Sequence, residues 1–383
     1  MIDPVELTSR LIRFDTVNPP GREHACAEYL AGLLAKNGFD TRLVALGGAH
    51  AGAGAERRAS VVARRGRPRG NSKPLVLTGH IDVVPLGTRK WSCDPFGGEI
   101  ADGRVHGRGS SDMKSGVAAM VAAAIAEAAR IESDTEVVLI ITAGEETGCD
   151  GAQSIVEAKL QGIAGALVVG EPTSNVAYVG HKGALWLKAT ADGITAHGSM
   201  PDKGDNAVYK AARAVDRLAH FDFHHAGHPV LGKPTLNVGT FHGGLNINSV
   251  PDRATIEIDL RTVPGIDHAT LRRDIAAHMQ EDMRIETMID LPGVWTSPEM
   301  PWVGRVGRIV AGVTGGAPEI RTATYFSDAS VLVPAIGAPP TLILGPGEPH
   351  LAHQTDEWCG VLRIEQATAI YRQVIADWAE HST

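Results

Sequence analysis

The chain has 383 residues, 43% hydrophobic and 21% charged, with a formal net charge of −8. That composition supports a sizeable core and excludes a disordered chain, and the length predicts one large or two medium domains. The acidic balance argues against a nucleic-acid partner, because phosphate binding demands a basic surface. Cys26, Cys93, Cys149 and Cys359 form no CxxC pair, which argues against a disulfide framework and a thiolate metal site. No basic-then-apolar leader is visible, and no apolar run of about 18 residues occurs. The expectation is a soluble cytoplasmic protein with no membrane contact.

Residues 4–13 predict a helix with Leu7, Leu11 and Ile12 on one face. Asn18-Pro19-Pro20-Gly21 interrupts the chain. Residues 24–37 predict a second amphipathic helix closed by Gly38. Strands are expected over 39–46 and 59–64, separated by a small-residue loop at 47–55, and a basic, solvated loop over 64–73. The apolar run Pro74-Leu75-Val76-Leu77-Thr78 predicts a buried strand leading into Gly79-His80-Ile81-Asp82-Val83-Val84-Pro85. It delivers His80 and Asp82 to its C-terminal end, where open α/β sheets bind ligands. Two residues apart, they point to the same face, and an imidazole backed by a carboxylate is a good metal donor.

A glycine-rich segment, Gly103 to Lys114, precedes a long helix expected over 113–131. Asp112 at its start reads either as a helix cap or as a site residue. A buried strand over 136–143 ends in Gly144-Glu145-Glu146, and another over 165–170 ends in Glu171-Pro172-Thr173. Three strands thus end in His/Asp, Glu/Glu and Glu. Adjacent carboxylates at the end of an apolar strand need positive compensation, and a metal supplies it economically.

Residues 176–292 read differently: two strands, a helix, two strands, a helix and a strand, a small α+β layer with helices on one face. Thr195-Ala196-His197-Gly198-Ser199-Met200-Pro201 lies within it. Its free sheet face or edge suits a partner subunit. From about residue 299 the first pattern returns, with a helix over 302–313, a turn at 324–329 into another helix, a strand and loop over 340–347, then His350, His353, Asp356 and Glu357, and a final helix over 361–379. The domain expectation is 1–177 with 292–383 as one discontinuous domain, and 178–291 as an insertion.

Taken together and in this order, the stretch 79–85, Gly107-Arg108-Gly109-Ser110-Ser111-Asp112-Met113-Lys114, Gly144-Glu145-Glu146, Gly170-Glu171-Pro172-Thr173, Ala196-His197-Gly198-Ser199-Met200-Pro201 and Ala352-His353-Gln354-Thr355-Asp356-Glu357 resemble the dizinc metallopeptidases. That family includes acetylornithine deacetylase, succinyl-diaminopimelate desuccinylase, aminoacylase and glutamate carboxypeptidase. The resemblance covers almost the whole chain, and the ending at His353 looks closest to acetylornithine deacetylases. It implies an α/β fold: a mixed, largely parallel sheet with helices on both faces, plus a smaller α+β lid and dimerisation domain. It also implies that His80 and Glu171 bind one zinc, that Glu146 and His353 bind the other, and that Asp112 bridges them, with a cis peptide after Asp112. Spacing to Asp356-Glu357 favours His353 over His350.

The resemblance further implies zinc-dependent removal of the acyl group from an N-acyl amino acid by a metal-bound hydroxide. Glu145 is then the general base, Asp82 orients His80, and His197 stabilises the oxyanion. Carboxylates and imidazoles without thiolates suit two Zn²⁺, with Co²⁺ or Mn²⁺ as alternatives. Arg261, at the end of Glu257-Ile258-Asp259-Leu260, is expected either to clamp a substrate carboxylate, helped by Asn248, or to form a structural ion pair. The lead substrate is acetylornithine or a related basic N-acyl amino acid. A dipeptidase or carboxypeptidase is the alternative within the family, and a non-catalytic metal-binding relative the alternative outside enzymes. A homodimer through the lid is expected.

Overall fold

The computed structural model describes residues 2–46, 58–68 and 70–381; the loop expected at 47–55 and Arg69 of the basic loop lie outside the described residues. The large sheet carries, in spatial order, strands Asp40–Ala45, Ala59–Gly66, Glu136–Thr142, Leu75–His80, Ala166–Val169, Thr341–Ile343 and Tyr178–His181. Its centre is parallel: Leu75–His80 runs with both Glu136–Thr142 and Ala166–Val169, and Thr341–Ile343 runs with Ala166–Val169. The strands Asp40–Ala45 and Ala59–Gly66 are antiparallel additions.

The apolar runs are continuous because both faces of these strands are covered. Val137, Leu139 and Ile141 join a core with residues of helices His24–Lys36, Ser115–Ala126 and Val361–His381, while the alternate residues Val138 and Ile140 are buried on the opposite side. There helix Asp150–Glu157 packs against Ala59–Gly66. The fold is therefore α/β with a mixed, largely parallel sheet between helical layers.

Several expectations change in detail. Arg64 and Arg65 belong to strand Ala59–Gly66 rather than to a loop, since Arg64 pairs in register with Val138 and bonds Glu136 at 3.2 Å. The long helix starts at Ser115, ends at Ala126 and resumes over Ala128–Asp134. Asp112 and Met113 have non-helical backbone angles, and the peptide between them is cis. Ser115–Ala126 has no side-chain cap bond, so Asp112 is not its cap.

The chain divides into two compact units: Met1–Gly180 with Trp295–Thr322 and Ser327–Thr383, and His181–Val294 with Ala323–Phe326. The second unit holds a four-stranded antiparallel sheet ordered Thr235–Gly243, Arg253–Thr262, Gly183–Asp192, Met283–Leu291. Burial alternates strictly along Arg253–Thr262. Ile256, Ile258 and Leu260 join a core with residues of helices Ala207–Leu218 and His268–Met279. The alternating run 179–188, expected as one half-exposed strand, breaks at Lys182: Tyr178–His181 pairs with Thr341–Ile343 in the large sheet, and Gly183–Asp192 lies in the four-stranded one.

Candidate metal centre

Strand Leu75–His80 ends on His80, which is 1% exposed. Its Nε2 lies 3.2 Å from Oδ1 of Asp112 and 3.8 Å from Glu171, which follows strand Ala166–Val169. The other oxygen of Asp112, Oδ2, lies 3.5 Å from Nε2 of His353, and that same nitrogen is 3.1 Å from Glu146. Two donor groups result, His80–Asp112–Glu171 and Asp112–Glu146–His353, each with its ligand atoms within 4.8 Å of one another. Asp112 belongs to both and turns one oxygen to each. His350 is in neither and sits in a short turn, Pro349–Leu351.

The backbone around this centre is built for close approach. Gly116, in the first turn of helix Ser115–Ala126, faces the carbonyl of Gly170 so tightly that a β-carbon would lie 2.2 Å from it. Any larger residue there would displace the segment carrying Glu171. Asp82 ties the strand ends together. Its Oδ1 accepts the main-chain N–H of Glu145 at 3.1 Å, and its Oδ2 accepts that of Glu146 at 3.2 Å and the side-chain amide of Asn18 at 2.9 Å. His80 Nδ1 donates to the main-chain carbonyl of Asp82 at 3.0 Å, with Asp82 Oδ1 3.5 Å away. Both contacts fix the ring and leave Nε2 facing Asp112.

The electrostatics show what this donor set lacks. The carboxylates of Asp82, Asp112, Glu145, Glu146 and Glu171 outnumber the imidazoles of His80 and His353. Burial pushes Glu171 up to about 8 against the pull of His80. Burial also holds Glu145 well above the usual carboxylate range, with Glu171, Glu146 and Asp328 adding to it, and raises Glu146 in the same way. Asp112 stays low because His353 and His80 outweigh its burial. Contact with Asp112 and then Glu146 raises His353 to about 10. Acids this reluctant to ionise, converging with two imidazoles, call for added positive charge. Oxygen and imidazole donors without thiolate fit borderline divalent cations, so the residues present fit a pair of such ions.

His197, Asn248 and Arg261 lie in the second unit. The His197 loop pairs with the Asn248 loop: Gly198 N–H donates to the carbonyl of Asn248 at 2.7 Å. His197 Nδ1 accepts the N–H of Ser199 at 3.2 Å, which puts the proton of a neutral ring on Nε2. Arg261 is held by Asp259 at 2.9 Å and lies over the ring of Trp186, whose Nε1 donates to the same Asp259.

Sequence reasoning gave no role to Asn18, Arg108 or Glu357. Asn18 signals only a chain break beside prolines, although its amide meets Asp82. Asp328 is buried and accepts the hydroxyl of Thr142, at the end of the strand leading to Glu145. Arg108 and Glu357 form a buried ion pair; both lie inside quoted motifs, yet spacing cannot show that they meet.

The profile of peptidase family M20/M25/M40 matches residues 76–377. A succinyl-diaminopimelate desuccinylase from Cereibacter sphaeroides is 33% identical, over 98% of this chain and 99% of that protein. The fold is similar to that of an M20 family metallo-carboxypeptidase from Sulfolobus solfataricus, with a TM-score of 0.81 at 18% identity, covering 99% of this chain and 100% of that one. It is also similar to a dinuclear metal binding peptidase of the M20 family from Bacillus subtilis, with a TM-score of 0.69 at 14% identity over 98% of both chains. The matched segment contains every residue of both donor groups. The chain therefore belongs to peptidase family M20/M25/M40 and is a metal-binding hydrolase.

Proposed function

We propose that this protein hydrolyses the amide bond of an N-acyl amino acid, releasing the acyl group as a carboxylic acid. The observation that carries the reading is Asp112, whose two oxygens face two separate His/Glu groups with Glu145 on the adjoining strand end. His80, Asp112 and Glu171 would hold one zinc, and Asp112, Glu146 and His353 the other; cobalt and manganese suit the same donors. Such ions, when bound, polarise a carbonyl and acidify water. Glu145 takes the proton of the attacking water and returns it to the departing amine nitrogen. Nε2–H of His197 donates to the developing oxyanion. Arg261 binds the substrate carboxylate with two parallel N–H donors, and Asn248 steadies it.

The identity of 33% to a desuccinylase makes an N-succinyl diamino acid the first substrate to try, with N-acetylornithine, favoured by the residues around His353, beside it. The same reading includes a homodimer through the smaller unit, supported by Leu245 and Ile247, which are 96% and 103% exposed. Free cysteines at four positions fit a reducing cytoplasm.

The test is a panel of N-succinyl, N-acetyl and dipeptide substrates with metal-stripped protein, before and after adding zinc. Zinc-dependent release of succinate or acetate supports the reading. Turnover of dipeptides alone would replace it with a peptidase, and two bound ions with no turnover at all would replace it with a binding protein.

A further inference from the structure

Nη1 of Arg108 lies 2.6 Å from Oε2 of Glu357, and their side chains are 2% and 0% exposed. Glu357 spreads its acceptors over one stretch of backbone. Oε1 accepts the N–H of Ser111 at 2.8 Å and of Asp112 at 3.0 Å, while Oε2 also accepts that of Gly109 at 3.1 Å. With Arg108, these bonds fill the lone-pair directions of a carboxylate. Nη1 also reaches the carbonyl of Gln354 at 3.1 Å, and Nη2 those of Pro85 at 3.3 Å and His353 at 3.4 Å, while Nε has no hydrogen-bond partner among the described residues. The guanidinium also lies over the ring of Trp91, 5.2 Å from its centroid.

A buried ion pair is a poor stabiliser in itself, because desolvation offsets the attraction. What sets this one apart is where its hydrogen bonds go: to the N–H of Asp112 and toward the C=O of His353. The His353 side chain is 52% exposed, and its backbone sits at φ 64, so packing does little to fix the ring and the backbone tether does more. We infer that Arg108 and Glu357 are positioning residues that set the spacing between Asp112 and His353, and with it the metal affinity of the Asp112–Glu146–His353 group. The inference rests on the two-metal reading above. Lysine at 108 would keep the charge beside Glu357 but lose the planar fork and the stacking on Trp91.

The experiment measures both zinc affinities of the wild type, Arg108→Lys, Glu357→Gln and His353→Ala by competition with a chromophoric chelator, with melting of the metal-free proteins alongside. The expected result is a loss of about 10–100-fold at one site, the site that His353→Ala abolishes, with the other within about threefold. Adding Arg108→Lys to His353→Ala should then leave the remaining site unchanged, since the two act on one element. Equal weakening of both sites with a collapsed melting temperature overturns the inference, because the pair then only holds the fold. Unchanged affinities in Arg108→Lys and Glu357→Gln overturn it too. Wild-type protein binding fewer than two ions overturns the two-metal reading itself, a failure visible without any variant.

Discussion

Asn18 donates its side-chain amide to Oδ2 of Asp82 at 2.9 Å, and that carboxylate in turn receives the N–H groups of both Glu145 and Glu146. Asp82 is thus the joint between the strand bearing His80 and the turn bearing the paired glutamates. Asp82→Asn keeps the size but offers an amide donor where acceptors are needed. It should reduce metal affinity or turnover by about 10–100-fold, read from metal content and steady-state kinetics. An unchanged protein would remove Asp82 from the positioning of the centre.

Glu145→Gln preserves shape and the bond from its main-chain N–H to Asp82. Turnover should fall by about 10²–10⁴, the range for a lost proton-transfer group, while two metals remain bound. Full activity in this variant would assign the proton to another residue.

His197→Ala should lower kcat by roughly 10²–10³, as for removal of an oxyanion donor, with metal content intact. Loss of metal in that variant would show that His197 supports the site in some other way.

Arg261→Lys removes the fork that Asp259 and Trp186 hold in place. KM should rise about 10–100-fold with kcat little changed, consistent with about 1.5–3 kcal/mol for hydrogen bonds to a charged group. A fall in kcat with KM unchanged would point away from substrate binding.

His181 is fully buried; its Nδ1 donates to the carbonyl of Lys182 at 2.8 Å, and its Nε2 has no hydrogen-bond partner among the described residues. Burial depresses its pKa to about 4, so the folded protein keeps the ring neutral where the unfolded chain protonates it. The contribution is fully present above the unfolded value and is lost as pH falls from about 6.5 through about 4, by about 3 kcal/mol in all. Urea denaturation at about pH 7 and about pH 4.5 checks it. His181→Gln, which does not titrate, should lose less stability between the two than the wild type does.

The parallel core and the helices on either side were legible because continuous apolar runs bounded by turn residues leave few other readings. His80, Asp112, Glu146, Glu171 and His353 could be picked out because each stands at the end of such a run or inside a distinctive motif, and the structure gathers them into two groups sharing Asp112. Boundaries failed where local chemistry competes with pattern. The alanine-rich run around residue 120 looks like one helix from 113, yet the backbone at Asp112 and Met113 is not helical and the helix starts only at Ser115. The alternation across residues 179–188, which reads as one strand, hides a break at Lys182 between two sheets. Asn18, Arg108 and Glu357 were illegible as partners because their contacts span 64 and 249 positions, and no periodicity reports on pairs so far apart.

Four of the five donor residues precede residue 180, and His353 comes after the inserted unit. Strand Thr341–Ile343, which flanks Ala166–Val169, is also late in the chain. At about 5–20 residues per second of synthesis, Glu171 leaves the ribosome roughly 10–35 s before His353. During that interval the smaller unit has all of its main segment and can fold, while the larger one exposes an unpaired sheet edge and an acidic cluster short of its last imidazole. A chain stalled between residues 327 and 340 therefore carries every segment of the smaller unit while Ala166–Val169 still lacks its neighbour Thr341–Ile343.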